Sequence, residues 1–152
     1  MSLQEEVELL RNIPLFAKVE PAKLKFLAFT SQRLTFEPGQ ALFKQGDMAD
    51  AAYIIIGGEA QVLVNTPKGE MAVAVVGRNA IVGEIAILCD VPRTATVRAK
   101  SKLETLMIAK DLFYRLINEF PSMAVEIMRE LARRLEKTTA QLREAMTQIS
   151  NR

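Results

Sequence analysis

The chain has 152 residues, a formal net charge of +2, one cysteine and no histidine or tryptophan. Without histidine there is no Ser-His-Asp or Cys-His catalytic group, no His-ligated zinc or haem and no histidine pH switch. A lone cysteine excludes an iron–sulfur cluster, a zinc ribbon and an internal disulfide. At 49% hydrophobic and 25% charged residues, the composition is that of a soluble globular protein, and the length suits one unit spanning 1–152. A charge of +2 does not argue for nucleic acid. No apolar run reaches the roughly 20 residues of a membrane span, and the start MSLQEEVELL is acidic, so a cytoplasmic binding protein is expected.

In chain order, the first zone, residues 1–30, reads as helical. Val7, Leu10 and Arg11 precede a break at Asn12-Ile13-Pro14, and Pro21 opens a helix carrying Leu24, Leu27 and Ala28 at helical spacing. The second zone, 31–109, is a series of short strand patterns at 33–36, 41–43, 52–56, 60–64, 71–76, 94–98 and 103–108. Turn residues separate them: Glu37-Pro38-Gly39, Gln45-Gly46-Asp47, Gly57-Gly58, Asn65 to Gly69, and Gly77. This rhythm predicts a mainly β, antiparallel sandwich or barrel. Gly57-Gly58 is expected to form a hairpin turn, because both residues accept positive φ.

The third zone, 110–152, returns to helix. A short segment at 110–119 breaks at Phe120-Pro121, and Pro121 starts a helix running to about residue 149. Ala124, Met128, Leu131, Leu135, Thr138, Leu142, Ala145 and Ile149 mark one edge of it. After the first step of four they alternate in steps of three and four, which is a heptad seam with Thr138 as its polar member. A barrel is too short to cover roughly 40 Å of helix, so the seam predicts a homodimer. Nothing after it resembles a helix-turn-helix, and no direct DNA binding by this chain is expected.

The segment 82–97, VGEIAILCDVPRTATV, interrupts the strand pattern. Gly83-Glu84 followed by Ile85, Ala86, Ile87 and Leu88 reads as a short helix between strands. Glycine allows close backbone approach, and the helix start offers free N–H groups to an anion. Arg93, nine residues after Glu84, carries a planar fork that matches two phosphate oxygens. An ionised Glu84 can only accept hydrogen bonds, so its natural partner is a hydroxyl or an N–H. Together they suit a ligand with one phosphate and one sugar hydroxyl.

Each residue also has a bland reading. Glu84 could cap the short helix, Arg93 could form a structural ion pair with it, and Thr94 could be a plain strand residue. Cys89 reads as small apolar bulk. Two inward charges without a ligand would bear a desolvation cost, which favours the ligand reading.

The two halves, Gly83-Glu84-Ile85-Ala86-Ile87-Leu88 and Pro92-Arg93-Thr94-Ala95-Thr96-Val97, closely resemble the phosphate-binding cassette of cyclic nucleotide-binding domains. That family includes the sensor domains of bacterial cAMP receptor proteins and the regulatory parts of cyclic-nucleotide-dependent kinases. The resemblance covers nearly the whole chain. It implies an antiparallel β-roll, a double-stranded jelly-roll barrel with N-terminal helices and a long C-terminal dimerisation helix. It implies that Glu84 binds the ribose 2′-hydroxyl and Arg93 the cyclic phosphate. N–H groups near Ile85 and Ala86, with the Thr94 hydroxyl and the Ala95 N–H, complete the cradle. The segment from Ala132 to Thr139 resembles the dimer helix of the cAMP receptors, where a hydroxyl pair contacts adenine. By that likeness Thr138 and Thr139 face the ligand of one subunit and that of its partner; the bland reading makes Thr138 a register-setting polar residue. Thr94 after the cassette arginine also resembles cGMP-responsive proteins, so the ligand is cAMP or, alternatively, cGMP.

The expected function is a non-catalytic cyclic nucleotide sensor without metal or cofactor. Alternatives are the sensor half of a transcription regulator, a dimerisation module that has lost its ligand, and a cupin-type enzyme, which histidine's absence disfavours.

Overall fold

The computed structural model describes residues 2–151; Met1 and Arg152, the ends of the expected 1–152 unit, lie outside the described residues. The N-terminal zone is helical, as its apolar spacing predicts. Helix α1 (Leu3–Arg11) is capped by the Ser2 hydroxyl, which accepts from the Glu5 N–H. A single 3-10 turn at Pro14–Phe16 leads to α2 (Pro21–Thr30), which Pro21 opens at its first turn.

Eight strands follow: β1 (Gln32–Phe36), β2 (Ala41–Phe43), β3 (Ala51–Gly57), β4 (Ala60–Thr66), β5 (Gly69–Val76), β6 (Ile81–Val82), β7 (Thr96–Ala99) and β8 (Leu103–Ala109). They pair antiparallel in two four-stranded sheets, ordered β1-β8-β3-β6 and β2-β7-β4-β5. The mainly β, antiparallel roll is as expected, with β6 added; two residues are too few to make a strand pattern in sequence. Strand β7 begins at Thr96 rather than Thr94, so the plain-strand reading of Thr94 does not hold.

Strand β3 explains the layering. Ala51, Tyr53 and Ile55 pack inside the barrel with Phe36, Leu42, Val82, Val97 and Leu103. Ala52, Ile54 and Ile56 face the opposite way, into a second core built with Phe16, Leu24, Leu27, Phe113, Leu116 and Ile127. Burial on both faces accounts for its unbroken apolar run. The chain turns between β3 and β4 at Gly57-Gly58: Gly57 ends β3, and Gly58 has φ +87°. A Cβ on Gly58 would fall 2.2 Å from the Lys102 carbonyl oxygen, so glycine is required there on two counts.

After β8 come α3's later neighbours, α4 (Lys110–Glu119) and the 30-residue α5 (Pro121–Ser150); α3 itself (Glu84–Cys89) lies between β6 and β7. Met123 and Ile127 of α5 are buried and Leu131 packs partly against the same core. Of the seam residues, Met128, Leu135, Leu142 and Ile149 are 59%, 68%, 60% and 66% exposed. The alternative in which the seam packs wholly on its own barrel is therefore not what the fold adopts.

Candidate functional site

The site is assembled where the short strand β6 delivers the chain into α3. The Asn79 N–H donates to the Ile55 carbonyl and the Ile55 N–H to the Ala80 carbonyl, anchoring the approach. Gly83 then turns with φ +83° and caps α3. A Cβ there would stand 2.7 Å from Arg93 Nη1 and 3.1 Å from Phe43 Cε2, so both conformation and space demand glycine. The N–H groups of Ile85 and Ala86 lie in the first turn of α3, ahead of any intrahelical acceptor. The other end of α3 is held from α4: the Tyr114 hydroxyl donates to the Ile87 carbonyl at 2.5 Å, and Lys110 Nζ lies 3.7 Å from Asp90 Oδ1.

Arg93 is the centre of the cradle and is only 3% exposed. Its backbone is pinned to the β2–β3 loop, with its N–H on the Asp47 carbonyl and its own carbonyl accepting from Gly46 N–H, each at 2.8 Å. The guanidinium lies over the Phe43 ring, 4.0 Å from the centroid. Nη1 donates to the Gly83 carbonyl at 2.7 Å and Nη2 to the Ala51 carbonyl at 2.6 Å. Asp50 Oδ1 is 3.6 Å from Nη2. Nε is buried without a hydrogen-bond partner. Burial pushes the guanidinium pKa down against the opposing pull of Asp50; arginine nevertheless stays protonated. A buried, charged donor with one N–H unmet is a ready partner for an anionic oxygen.

Glu84 is buried to 1% exposure. Burial raises its carboxyl pKa, with Arg134 acting in the opposite direction. The pair with Arg93, the bland reading of these two charges, does not form. Arg134 of α5 takes that place: Nη1 donates to Glu84 Oε1 at 2.7 Å and Nη2 to the Ile81 carbonyl at 2.5 Å. Arg134 Nε also lies 3.6 Å from Glu130 Oε1. Nor does Glu84 act as the helix cap, a position held by Gly83. Sequence reasoning missed Arg134. The available signal was its place one helical turn before Thr138, on the same face of α5.

The other expected site residues are placed as follows. Ala86 is buried, Ile85 is 41% exposed, Ala95 is half-buried and Thr94 is exposed beside Arg93. Gly83, Glu84, Ile85, Ala86, Arg93, Thr94 and Ala95 therefore share one end of the barrel. Thr138 and Thr139 are both exposed on α5. Thr96, named only as part of the motif, is buried and its hydroxyl accepts from the Gln45 N–H at 2.9 Å. Cys89 is exposed rather than apolar filling. Among the described residues there is no cluster of three or more His, Cys, Asp or Glu able to hold a metal, and no helix long and apolar enough to cross a membrane.

The fold is an antiparallel roll with a buried arginine, a left-handed glycine and a buried carboxylate at one end. The chain belongs to the cyclic nucleotide-binding domain family, whose model matches residues 33–120, more than half of its length. It is 38% identical over 109 residues to a cAMP-dependent protein kinase regulatory subunit of Yarrowia lipolytica, covering 71% of this chain and 28% of that protein. It is 29% identical over 136 residues to a CRP-like cAMP-activated global transcriptional regulator of Mycobacterium tuberculosis, covering 89% and 61%. The chain thus spans between about a quarter and three fifths of these relatives. The sensor domain of the transcriptional regulator DNR from Pseudomonas aeruginosa shares the fold, with a TM-score of 0.77 at 24% identity over 91% of this chain and 93% of that one.

Proposed function

We propose that the chain is a non-catalytic cytoplasmic sensor that binds a cyclic nucleotide, cAMP in preference to cGMP, and acts as a single unit within a homodimer. The observation that carries the reading is the buried Arg93 guanidinium with an unpartnered Nε beside left-handed Gly83. The cyclic phosphate meets Arg93, the first N–H groups of α3 near Ile85 and Ala86, the Thr94 hydroxyl and the Ala95 N–H. The ribose 2′-hydroxyl donates to Glu84, whose carboxylate can accept from a hydroxyl while also engaged by Arg134. The preference for cAMP is supported by the similarity to a cAMP-dependent protein kinase regulatory subunit and to a cAMP-activated regulator. Thr138, one turn beyond Arg134, lies on the side of α5 that reaches Glu84, and supports a base contact from the helix. Thr139 would serve the partner subunit's ligand.

Arg134 at one end of α3 and Tyr114 at the other tie the cassette to α5 and α4. A ligand that competes for Glu84 or draws α3 inward has different contacts in the two positions of these helices. That difference is what shifts their populations. The sensor half of a transcription regulator is the second reading, supported by the match to the mycobacterial protein.

The test is calorimetry with cAMP and cGMP on the wild type and Arg93→Ala. Removal of charge-assisted hydrogen bonds is expected to weaken binding by about 1.5–3 kcal/mol, or roughly 10- to 150-fold. Equal affinity in the variant would remove Arg93 from the phosphate site, and no binding of either nucleotide at millimolar concentration would leave only a dimerisation module.

A further inference from the structure

A second polar group near Arg93 lacks a partner. Side chains alternate along β3, so Ala51, Tyr53 and Ile55 pack into the barrel core. The Ala51 carbonyl accepts from Arg93 Nη2, and Tyr53 is the next inward residue. Tyr53 pairs with Val82 across β3 and β6, and Val82 leads directly into Gly83. The Tyr53 ring centroid is 6.2 Å from that of Phe36 and 6.0 Å from that of Phe43. The Phe43 ring in turn carries the Arg93 guanidinium 4.0 Å from its centroid. Tyr53 is 7% exposed, yet its hydroxyl has no hydrogen-bond partner among the described residues. Among those residues Arg93 Nε is the wholly shielded side-chain polar atom without one, so the Tyr53 oxygen keeps an edge of solvent contact. A largely buried phenol ordinarily finds a partner. Packing between Phe36 and Phe43 needs only a phenylalanine ring.

We propose that the Tyr53 hydroxyl is a further ligand-binding group, donating a hydrogen bond to a non-bridging oxygen of the phosphate that Arg93 holds. This contact rests on the nucleotide reading and adds a neutral donor to the charged one. Tyr53 and Arg93 lie within electrostatic reach of each other, and Asp50 acts on both. Burial first, and Asp50 second, push the Tyr53 phenol pKa up against the pull of Arg93. The phenol therefore stays protonated and can donate at neutral pH. Asp50, the carboxylate on this side, is 88% exposed and does not accept from the hydroxyl, which leaves the donor free for a ligand. The other donors assigned to the phosphate all belong to the cassette; Tyr53 supplies one from the β3 wall. A contact to phosphate rather than base follows from its neighbours, Arg93 and the strand entering Gly83. Its removal then affects adenine and guanine nucleotides alike.

The test is calorimetry on the full chain with cAMP, cGMP and the two phosphorothioate diastereomers of cAMP, comparing the wild type with Tyr53→Phe. The variant keeps the ring between Phe36 and Phe43 and removes only the oxygen, so its melting temperature is expected to be unchanged. Affinity for cAMP and for cGMP is expected to fall alike, by about tenfold or more, the usual loss for a hydrogen bond to a charged group. Sulfur is a weak acceptor. The diastereomer that turns sulfur towards Tyr53 is therefore expected to be insensitive to the substitution, while the other loses about tenfold. Equal affinity of variant and wild type for cAMP removes Tyr53 from the site and leaves the nucleotide reading standing. Loss for one base only moves the hydroxyl to the base, and equal loss with both diastereomers marks a packing role; either overturns the phosphate contact. A wild type that binds none of these ligands at millimolar concentration overturns the nucleotide reading and the contact together.

Discussion

The cassette and the outer half of α5 are unfinished in opposite ways. Around Arg93 and Glu84 nearly every polar atom has a partner from this same chain: carbonyls of Gly83 and Ala51, the Arg134 fork, and the ring of Phe43. Among the buried side-chain atoms of the described residues, Arg93 Nε has no hydrogen-bond partner, a deficit that a small anion can fill. The outer half of α5 leaves an apolar face uncovered within this chain, with Leu135, Leu142, Met146 and Ile149 each at least 59% exposed. A small molecule cannot cover that length; another protein surface can. Arg134 of α5 links the two regions through its bond to Glu84.

The largest effect is expected on the helix. If the seam pairs with its own copy, the wild type sediments as a dimer. Leu135→Glu combined with Leu142→Glu then removes about 1.5–3 kcal/mol of burial per leucine. Counted on both copies, self-association should weaken by more than about 1,000-fold. Analytical ultracentrifugation checks this, and a wild type that is monomeric at high micromolar concentration breaks the comparison at its macromolecular end.

The cassette end is probed next. Gly83→Ala must hold φ +83° and push a methyl group towards Arg93. It is expected to lose about 1–3 kcal/mol of stability in urea unfolding, together with nucleotide affinity. Stability equal to wild type would refute the left-handed turn at this position.

Arg134→Ala tests the joint between the two regions. It leaves Glu84 buried without its cation, at an expected cost of about 1–3 kcal/mol. Because Arg134 is one-third exposed, the lower half of that range is favoured. Adding Glu84→Gln should restore part of the loss, and simple additivity in the double-mutant cycle would argue that the pair is energetically uncoupled.

The smallest effect is on pH dependence. Burial raises the Glu84 carboxyl pKa in the folded state, so the folded chain holds this proton more tightly than the unfolded chain. Its contribution to stability is fullest below the unfolded carboxyl pKa and is lost as pH rises through the raised folded value. The stability of Glu84→Gln relative to wild type should therefore increase from about pH 4 to about pH 7. A fall over that interval, measured as a difference in urea midpoints, would mean that Arg134 outweighs burial.

Much of the fold was legible because its signals are local. Pro21 and Pro121 open helices at the expected places, and the short strands end at turn residues. The segment from Gly83 to Leu88 reads as a short helix because it breaks a run of strands. Two local readings went astray for identifiable reasons. Thr94 has strand-like chemistry, but the turn that buries Arg93 delays β7 to Thr96. Cys89 looks apolar, but α3 is short and its last residue faces solvent.

The sequence by itself determined the residue types of the site, Gly83, Glu84 and Arg93 at their spacing, and the heptad edge of the last helix. Both are short-range patterns set by backbone geometry and periodicity. Only the tertiary structure decided how the two buried charges are satisfied. Arg93 turns to the Gly83 and Ala51 carbonyls, while Glu84 is met by Arg134, fifty residues further along the chain. Such a pairing depends on where α5 crosses the barrel end. That crossing is set by the packing of Met123, Ile127 and Leu131 on the helical core, and no local periodicity encodes it.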